Sequence, residues 1–278
     1  MTDATKYQFT TPSVPKAYEE FLVPRLFEPW ARLLLDEVNL QPGEAVLDVA
    51  TGPGTVARLA AARLGSQGRV VATDIALPML DIARAKPVAA GAAQIEYVES
   101  PAAPLAAPNG AFDAVLCQQG LQFFPDSQGG LREMHRVLKP NGRAAIAVWT
   151  QIERNQIFAA YHAALRATVN AELADLMMAP FSWPSGAALK EAAEEAGFRE
   201  AVDPDATDGA GRRPRPGDSV VLRHSCVAGG CCASTGCAGS FLRAGAARDG
   251  PAGNQWQGYW RNDFKYYHGQ LLVRRTLP

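Results

Sequence analysis

Short apolar runs alternate with segments of helical period along the first two hundred residues. Phe21, Leu22, Leu26, Trp30, Leu33, Leu34 and Val38 recur at helical spacing, which predicts helix over 15–39, interrupted at Pro24 and Pro29. Pro42-Gly43 is a turn signal, and a strand follows at 45–50. A helix is predicted from about 54 to 64, ended by Gly65 and Gly68, then a strand at 69–74. Pro78 suits the first turn of a helix at 77–86. Strands at 94–98 and 112–117 follow, then a helix at 131–138 stopped by Pro140-Asn141-Gly142, then a strand at 143–149. Such alternation implies an α/β fold with a mostly parallel, doubly wound sheet covered on both faces. After Trp149 the pattern turns helical, with an alanine-rich stretch at 154–169. A further helix at 185–196 starts from Ser185, a suitable N-cap, and closes at Gly197.

From about residue 200 the pattern lapses. Arg, Gly, Ala, Pro and Cys dominate, and apolar runs are short, as in Val220-Val221-Leu222. By composition this is loop or disorder. Cys226, Cys231, Cys232 and Cys237 stand in the spacing C-x4-C-C-x4-C. Zinc sites use ligand pairs two to four residues apart with a longer spacer, so no metal is expected here. Cys117 reads as a small buried apolar residue on its strand.

The 278 residues carry 27 Lys and Arg against 28 Asp and Glu, a net charge of −1. Nothing in that balance points to nucleic acid or an anionic membrane as partner. The start lacks the basic-then-apolar pattern of a signal peptide, and no apolar stretch is long enough to span a bilayer. A cytoplasmic location is expected, and disulfides in the tail are accordingly disfavoured.

The candidate chemistry lies where the first strand ends. Val46-Leu47-Asp48-Val49-Ala50-Thr51-Gly52-Pro53-Gly54-Thr55 is an apolar run leading into a glycine turn that opens a helix. Glycine lets backbone approach a nucleotide-like ligand closely. Asp74, twenty residues beyond Gly54, ends the next strand and is placed to accept hydrogen bonds from ribose hydroxyls. The turn, Asp74 and Gln118-Gln119 all fall at carboxyl ends of strands, where doubly wound sheets bind ligands. An adenosine-containing cofactor is therefore expected. Gly52-Pro53-Gly54-Thr55-Val56-Ala57 also fits the dinucleotide pattern, which keeps a nicotinamide-dependent oxidoreductase open, as it does a non-catalytic cofactor-binding module. Against the oxidoreductase, no Tyr-x-x-x-Lys pair occurs and an acid, Asp48, sits inside the strand before the turn.

Residues 43–149 resemble a class I S-adenosylmethionine-dependent methyltransferase of the broad "type 11" small-molecule group. The first motif matches at 46–54, with Ala50 at the first glycine position. Asp74-Ile75 with Pro78-Met79-Leu80 resembles the ribose acid and the segment after it. Phe112-Asp113-Ala114-Val115 and Arg136-Val137-Leu138-Lys139-Pro140-Asn141-Gly142-Arg143 resemble the fourth strand and the turn into the fifth. The resemblance implies a Rossmann-like sheet, S-adenosylmethionine as cofactor, and methyl transfer to a small-molecule acceptor. On that basis Gly52 and Gly54 admit the cofactor, Asp48 orients the turn or the cofactor's amino-acid end, and Ala50 belongs to the same cofactor-binding turn. Asp74 holds the ribose, Ile75 beside it also borders the cofactor, Met79 packs near the adenine, and Gln118 lines the crevice. The family's adenine-binding acid is replaced by Pro101, leaving backbone around Pro101 and Ala102, or Ser100, for that contact. Gln119, Gln122, Phe123 and His162 are candidates for the substrate side. Phe123 serves equally as core, and His162 is more readily a packed or surface histidine than a general base. No catalytic residue is named, because the cofactor carries its own activation.

Four regions follow. Residues 1–40 form an N-terminal helical cap and 41–150 the cofactor-binding domain. Residues 151–199 form a helical substrate-side segment and 200–278 an atypical tail. The family closes its sheet with two more strands, but the tail's pattern predicts none. It reads as poorly ordered, or as the out-of-frame product of a high-GC gene, leaving the edge of the fifth strand open.

Overall fold

The computed structural model describes residue 16, residues 18–199, the pair 222–223 and residues 270–273. A π-helical segment, Tyr18–Phe27, leads directly into α1 (Glu28–Val38). Five parallel strands then alternate with helices: β1 (Ala45–Val49), α2 (Thr55–Leu64), β2 (Arg69–Asp74), α3 (Leu77–Ala85), β3 (Gln94–Glu99), β4 (Phe112–Gln118), α4 (Ser127–Val137) and β5 (Leu138–Trp149). Three helices follow, α5 (Gln156–Thr168), α6 (Ala171–Leu176) and α7 (Gly186–Glu195). The strand order is β3-β2-β1-β4-β5. The order reverses between β1 and β4, which opens a crevice at their carboxyl ends.

The two-residue period of the strands divides the core into two layers. Val46, Val70, Ala72, Ala114, Leu116 and Ala145 face α1 and α2, meeting Leu34, Leu35, Val56, Ala60 and Leu64. The many alanines on this face let both helices lie close to the sheet. Leu47, Val71, Val115, Cys117 and Ile146 face the other way, packing with Leu131, Met134 and Val137 of α4 and Leu189 and Ala193 of α7. The amino end of β5 is tied to the end of α1 by Arg143. Its guanidinium pairs with both carboxylate oxygens of Glu44 at 2.7 and 2.6 Å and donates to the carbonyls of Val38 and Asn39.

The structure departs from the sequence pattern in four places. The first half of the predicted 15–39 helix is wound as a π-helix around Pro24, and α1 begins with Pro29 in its first turn. Helix α4 begins at Ser127, not Leu131, because Asp126 caps it by accepting from the Gly129 N–H at 2.7 Å. Pro140-Asn141-Gly142 does not precede β5 but lies within it as a bulge, with Asn141 at φ +67. Helix α6 follows α5 as a separate short element.

In the tail, two segments join the sheet. Leu222–Arg223 (β6) pairs antiparallel with Arg143-Ala144, and Gln270–Val273 (β7) pairs antiparallel with Ile146–Trp149. The edge of β5 is therefore covered where the sequence pattern left it open: the short apolar run Leu271-Leu272-Val273 supplies the pairing. The cysteine cluster and the remainder of 200–278 lie outside the described residues. Among the described residues no group of His, Cys, Asp and Glu is disposed to hold a metal, and no helix is long and apolar enough to cross a membrane.

Candidate functional site

A cavity of about 560 Å³ opens at the carboxyl ends of β1, β2 and β4. One end is polar and built by the turn after β1. The chain leaves β1 through Ala50 at φ +56, then passes Gly52 at φ +54 and Gly54 at φ +74. Three left-handed residues in five fold the turn tightly, with Thr51 N–H held by Thr73 O and Gly54 N–H by Thr51 O. The Thr51 hydroxyl donates to Asp48 Oδ2 at 2.5 Å, and Gly52 N–H donates to Asp74 Oδ2 at 2.7 Å. Asp74 Oδ1 accepts from Ala76 N–H at 2.9 Å. Asp74 thus ties the turn after β1 to the chain that follows β2.

Burial pushes the Asp48 carboxyl up to about 7, against the lowering effect of its Thr51 hydrogen bond. Burial also raises Asp74, partly offset by backbone donors from Ala76, Gly52 and Ile75. The same cause raises the phenol of Tyr18, with Asp74 and Glu19 adding to it. Tyr18 therefore sits beside Asp74, and its ring stacks on Phe27 at 4.7 Å.

Most residues expected at the cofactor border the cavity: Asp48, Ala50, Gly52, Asp74, Ile75, Met79, Pro101, Ala102 and Gln118. Gly54 does not. A Cβ there would stand 2.9 Å from Ala83 Cβ and 3.0 Å from the Tyr97 hydroxyl, so packing against these residues requires glycine here. At Gly52 nothing lies within 4 Å of such a Cβ, the open space a ligand's approach needs. Ser100 shapes the loop after β3, donating to Pro101 O and accepting from Ala106 N–H, and leaves Pro101-Ala102 on the wall.

The other end of the cavity is apolar. Trp149, Phe158 and Phe181 meet with ring centroids 5.2 to 6.0 Å apart. Leu22, Leu26 and Phe27 of the N-terminal segment cover the space between them and the turn. That segment is fastened by Gln118, whose Nε2 donates to Phe27 O at 2.9 Å, and by Glu19, which pairs with Lys86 and lies 4.0 Å from Arg58. Arg58 in turn donates to Pro53 O in the turn. Of the substrate-side candidates, Gln119 and Phe123 border the cavity. Gln122 and His162 lie off its wall; His162 Nε2 stands 3.7 Å from Asp175.

Sequence reasoning missed Tyr18, Phe158, Phe181 and the bridging role of Arg58. The period of Leu22 and Leu26 was visible, but it reads as a core stripe, not as a cavity roof.

A turn, a ribose-type acid and an apolar compartment in one cavity are what an adenosyl cofactor and an acceptor would need. The model of the ubiE/COQ5 methyltransferase family matches residues 17–210, most of the chain. The chain belongs to that family.

It is similar to the ubiquinone/menaquinone biosynthesis C-methyltransferase UbiE of Stenotrophomonas maltophilia (strain R551-3), 36% identical over 124 residues, or 44% of this chain and 49% of the relative. The protein of the same name from Hahella chejuensis is 36% identical over 118 residues, 42% and 47% of the two chains. The chain spans about half the length of the curated relatives it matches. Among solved structures it is similar to a SAM-dependent methyltransferase from Aquifex aeolicus, with a TM-score of 0.52 and 24% identity over 69% of this chain and 92% of that one. Haemonchus contortus phosphoethanolamine N-methyltransferase 2 gives a TM-score of 0.54 at 19% identity over 71% and 44%. At these identities the likeness establishes the class I methyltransferase fold. The match to the family model begins at residue 17, so it takes in the segment that roofs the cavity.

Proposed function

We propose that this member of the ubiE/COQ5 family transfers a methyl group from S-adenosylmethionine to an apolar small-molecule acceptor by in-line displacement. The observation that carries the reading is the single cavity joining the Asp48–Asp74 turn to the Trp149, Phe158 and Phe181 wall. Its residues fit the cofactor: Asp74 borders the cavity as an acceptor for the ribose, Gly52 leaves open space, and Met79, Pro101 and Ala102 offer apolar contact.

The cofactor supplies a methyl group already activated by its sulfonium. The protein's part is alignment, which is worth about 7–11 kcal/mol of barrier. Asp48 lies buried beside the turn, where a carboxylate would face the positive end of a bound amino acid and be drawn toward its ionised form. Tyr18 and Phe27 roof the ribose side and, with the aromatic wall, exclude water from the transfer path. Acceptor binding in the apolar end brings the nucleophile toward the turn. No side chain on the wall is required as a base if the acceptor ionises on its own.

The test is transfer of radiolabelled methyl from S-adenosylmethionine to a panel of apolar hydroxylated aromatics, followed by organic extraction. Label in the extract is expected. Cofactor binding without transfer to any acceptor would instead support a non-catalytic module.

A further inference from the structure

The chain between β3 and β4 has little of its own to hold its shape. Residues 101–108 are three prolines, four alanines and Leu105, with no side chain able to form a hydrogen bond. The segment is held instead by α4. Arg136 spends all five N–H donors of its guanidinium. Two pair with the Glu133 carboxylate, each at 2.7 Å. The others go to Ala107 O at 2.9 Å, Leu105 O at 3.3 Å and the side-chain oxygen of Asn109. Glu133 Oε2 in turn accepts from Leu105 N–H at 2.7 Å. The pair is half-buried, and the guanidinium holds the Glu133 carboxyl below the usual carboxylate range. An exposed ion pair contributes little; this one grips a loop by both its N–H and its carbonyl groups.

Ser100 carries that grip to the cavity. Its hydroxyl accepts from Ala106 N–H at 2.9 Å and donates to Pro101 O at 2.8 Å, and its own N–H donates to Asp74 O at 3.0 Å. Pro101 and Ala102 then border the cavity, as Asp74 does. The strand order is β3-β2-β1, so from Asp74 at the end of β2 the glycine turn lies to one side and this wall to the other. A base on a ribose held at Asp74, with the amino-acid end at the turn, points to this wall. Neither Pro101 nor Ala102 has a polar side chain, so the edge of a base can be read there only by backbone. Backbone reads only as finely as it is held.

We infer that Glu133 and Arg136 are positioning residues for the cofactor's base, acting through Ser100 to fix the Pro101-Ala102 backbone that reads its edge. Neither borders the cavity. The inference rests on the methyltransferase reading for the identity of the ligand.

The probes are S-adenosylhomocysteine and S-inosylhomocysteine, which differ only at the edge of the base. Calorimetric titration of the full chain gives Kd for each, and the ratio of the two is the readout. The wild type is expected to prefer S-adenosylhomocysteine. Arg136→Lys keeps the charge and loses the fork, and the preference should fall about tenfold. Ser100→Ala cuts the relay and leaves the ion pair, and the preference should fall likewise; this variant also carries the test if Arg136→Lys does not fold. The double variant should discriminate no worse than either single one, because the groups act in one chain. A clamp that served stability alone would lower the urea midpoint and leave the ratio as in the wild type. An unchanged ratio in either folded variant, or equal binding of both probes by the wild type, overturns the inference. Absence of S-adenosylhomocysteine binding by the wild type would instead strike at the methyltransferase reading, and the inference would fall with it.

Discussion

The Gly52 N–H donates to the Asp74 carboxylate over 2.7 Å, so the glycine turn after β1 and the acid at the end of β2 are one structural unit. The spacing of twenty-odd residues between them is the length of one helix and one strand, which is why it recurs wherever such a turn binds a ribose. Replacing either partner disturbs the other.

Asp74→Ala should weaken S-adenosylhomocysteine binding by about 3 kcal/mol, roughly a hundredfold, through loss of charge-assisted hydrogen bonds and loosening of the turn. Asp74→Asn should lose less, because its remaining oxygen can still accept from Gly52 or Ala76. Calorimetric titration of both variants checks the order. Unchanged affinity in Asp74→Ala would remove Asp74 from the ribose role.

The two glycines of the turn should fail in different ways. Gly54→Ala places a methyl against Ala83 and Tyr97 on a left-handed backbone, and should cost about 2–4 kcal/mol of stability. Gly52→Ala meets nothing in the free protein and should cost about 1–2 kcal/mol for the backbone alone, with its main effect on cofactor affinity. Urea unfolding and cofactor titration of each variant separate the two.

Asp48 should make stability fall with rising pH. Its carboxyl is held near 7 in the folded chain by burial, well above the unfolded value near about 3.9. Between these values the folded state binds the extra proton, so this group favours folding most at low pH. The benefit declines as pH rises toward 7 and is flat above. Asp48→Asn should therefore gain about 2 kcal/mol relative to wild type between pH 5 and pH 8. Parallel urea midpoints across that range would contradict the assignment.

Ala50 and Gly120 should be coupled. Ala50 holds φ +56, and its Cβ lies 2.6 Å from where a Gly120 Cβ would stand. Ala50→Gly relieves the left-handed strain and should stabilise the fold by about 1 kcal/mol, raising Tm by a few degrees. Gly120→Ala should destabilise the wild type and do less harm in the Ala50→Gly background. A double-mutant cycle by thermal unfolding reads the difference.

The polar end of the cavity was legible in the sequence because its parts are local: a strand, a turn and an acid, each announced by neighbouring residues. The apolar end was not, because Phe27, Trp149, Phe158 and Phe181 converge from distant parts of the chain. Gly129 and Gly130 hid the start of α4. Side chains there would strike the Asp126 carboxylate and the Phe124 ring. Glycine is demanded by packing and the cap supplies the start. In the tail, β7 is four residues long and its apolar run, Leu271-Leu272-Val273, only three, too short to stand out from its surroundings.

The central claim is that this cavity takes an S-adenosyl ligand. Calorimetric titration of the full chain with S-adenosylhomocysteine and, separately, with NAD tests it most directly. The account predicts saturable heat with S-adenosylhomocysteine, lost in Asp74→Ala, and none with NAD. Heat with NAD and none with S-adenosylhomocysteine would contradict it.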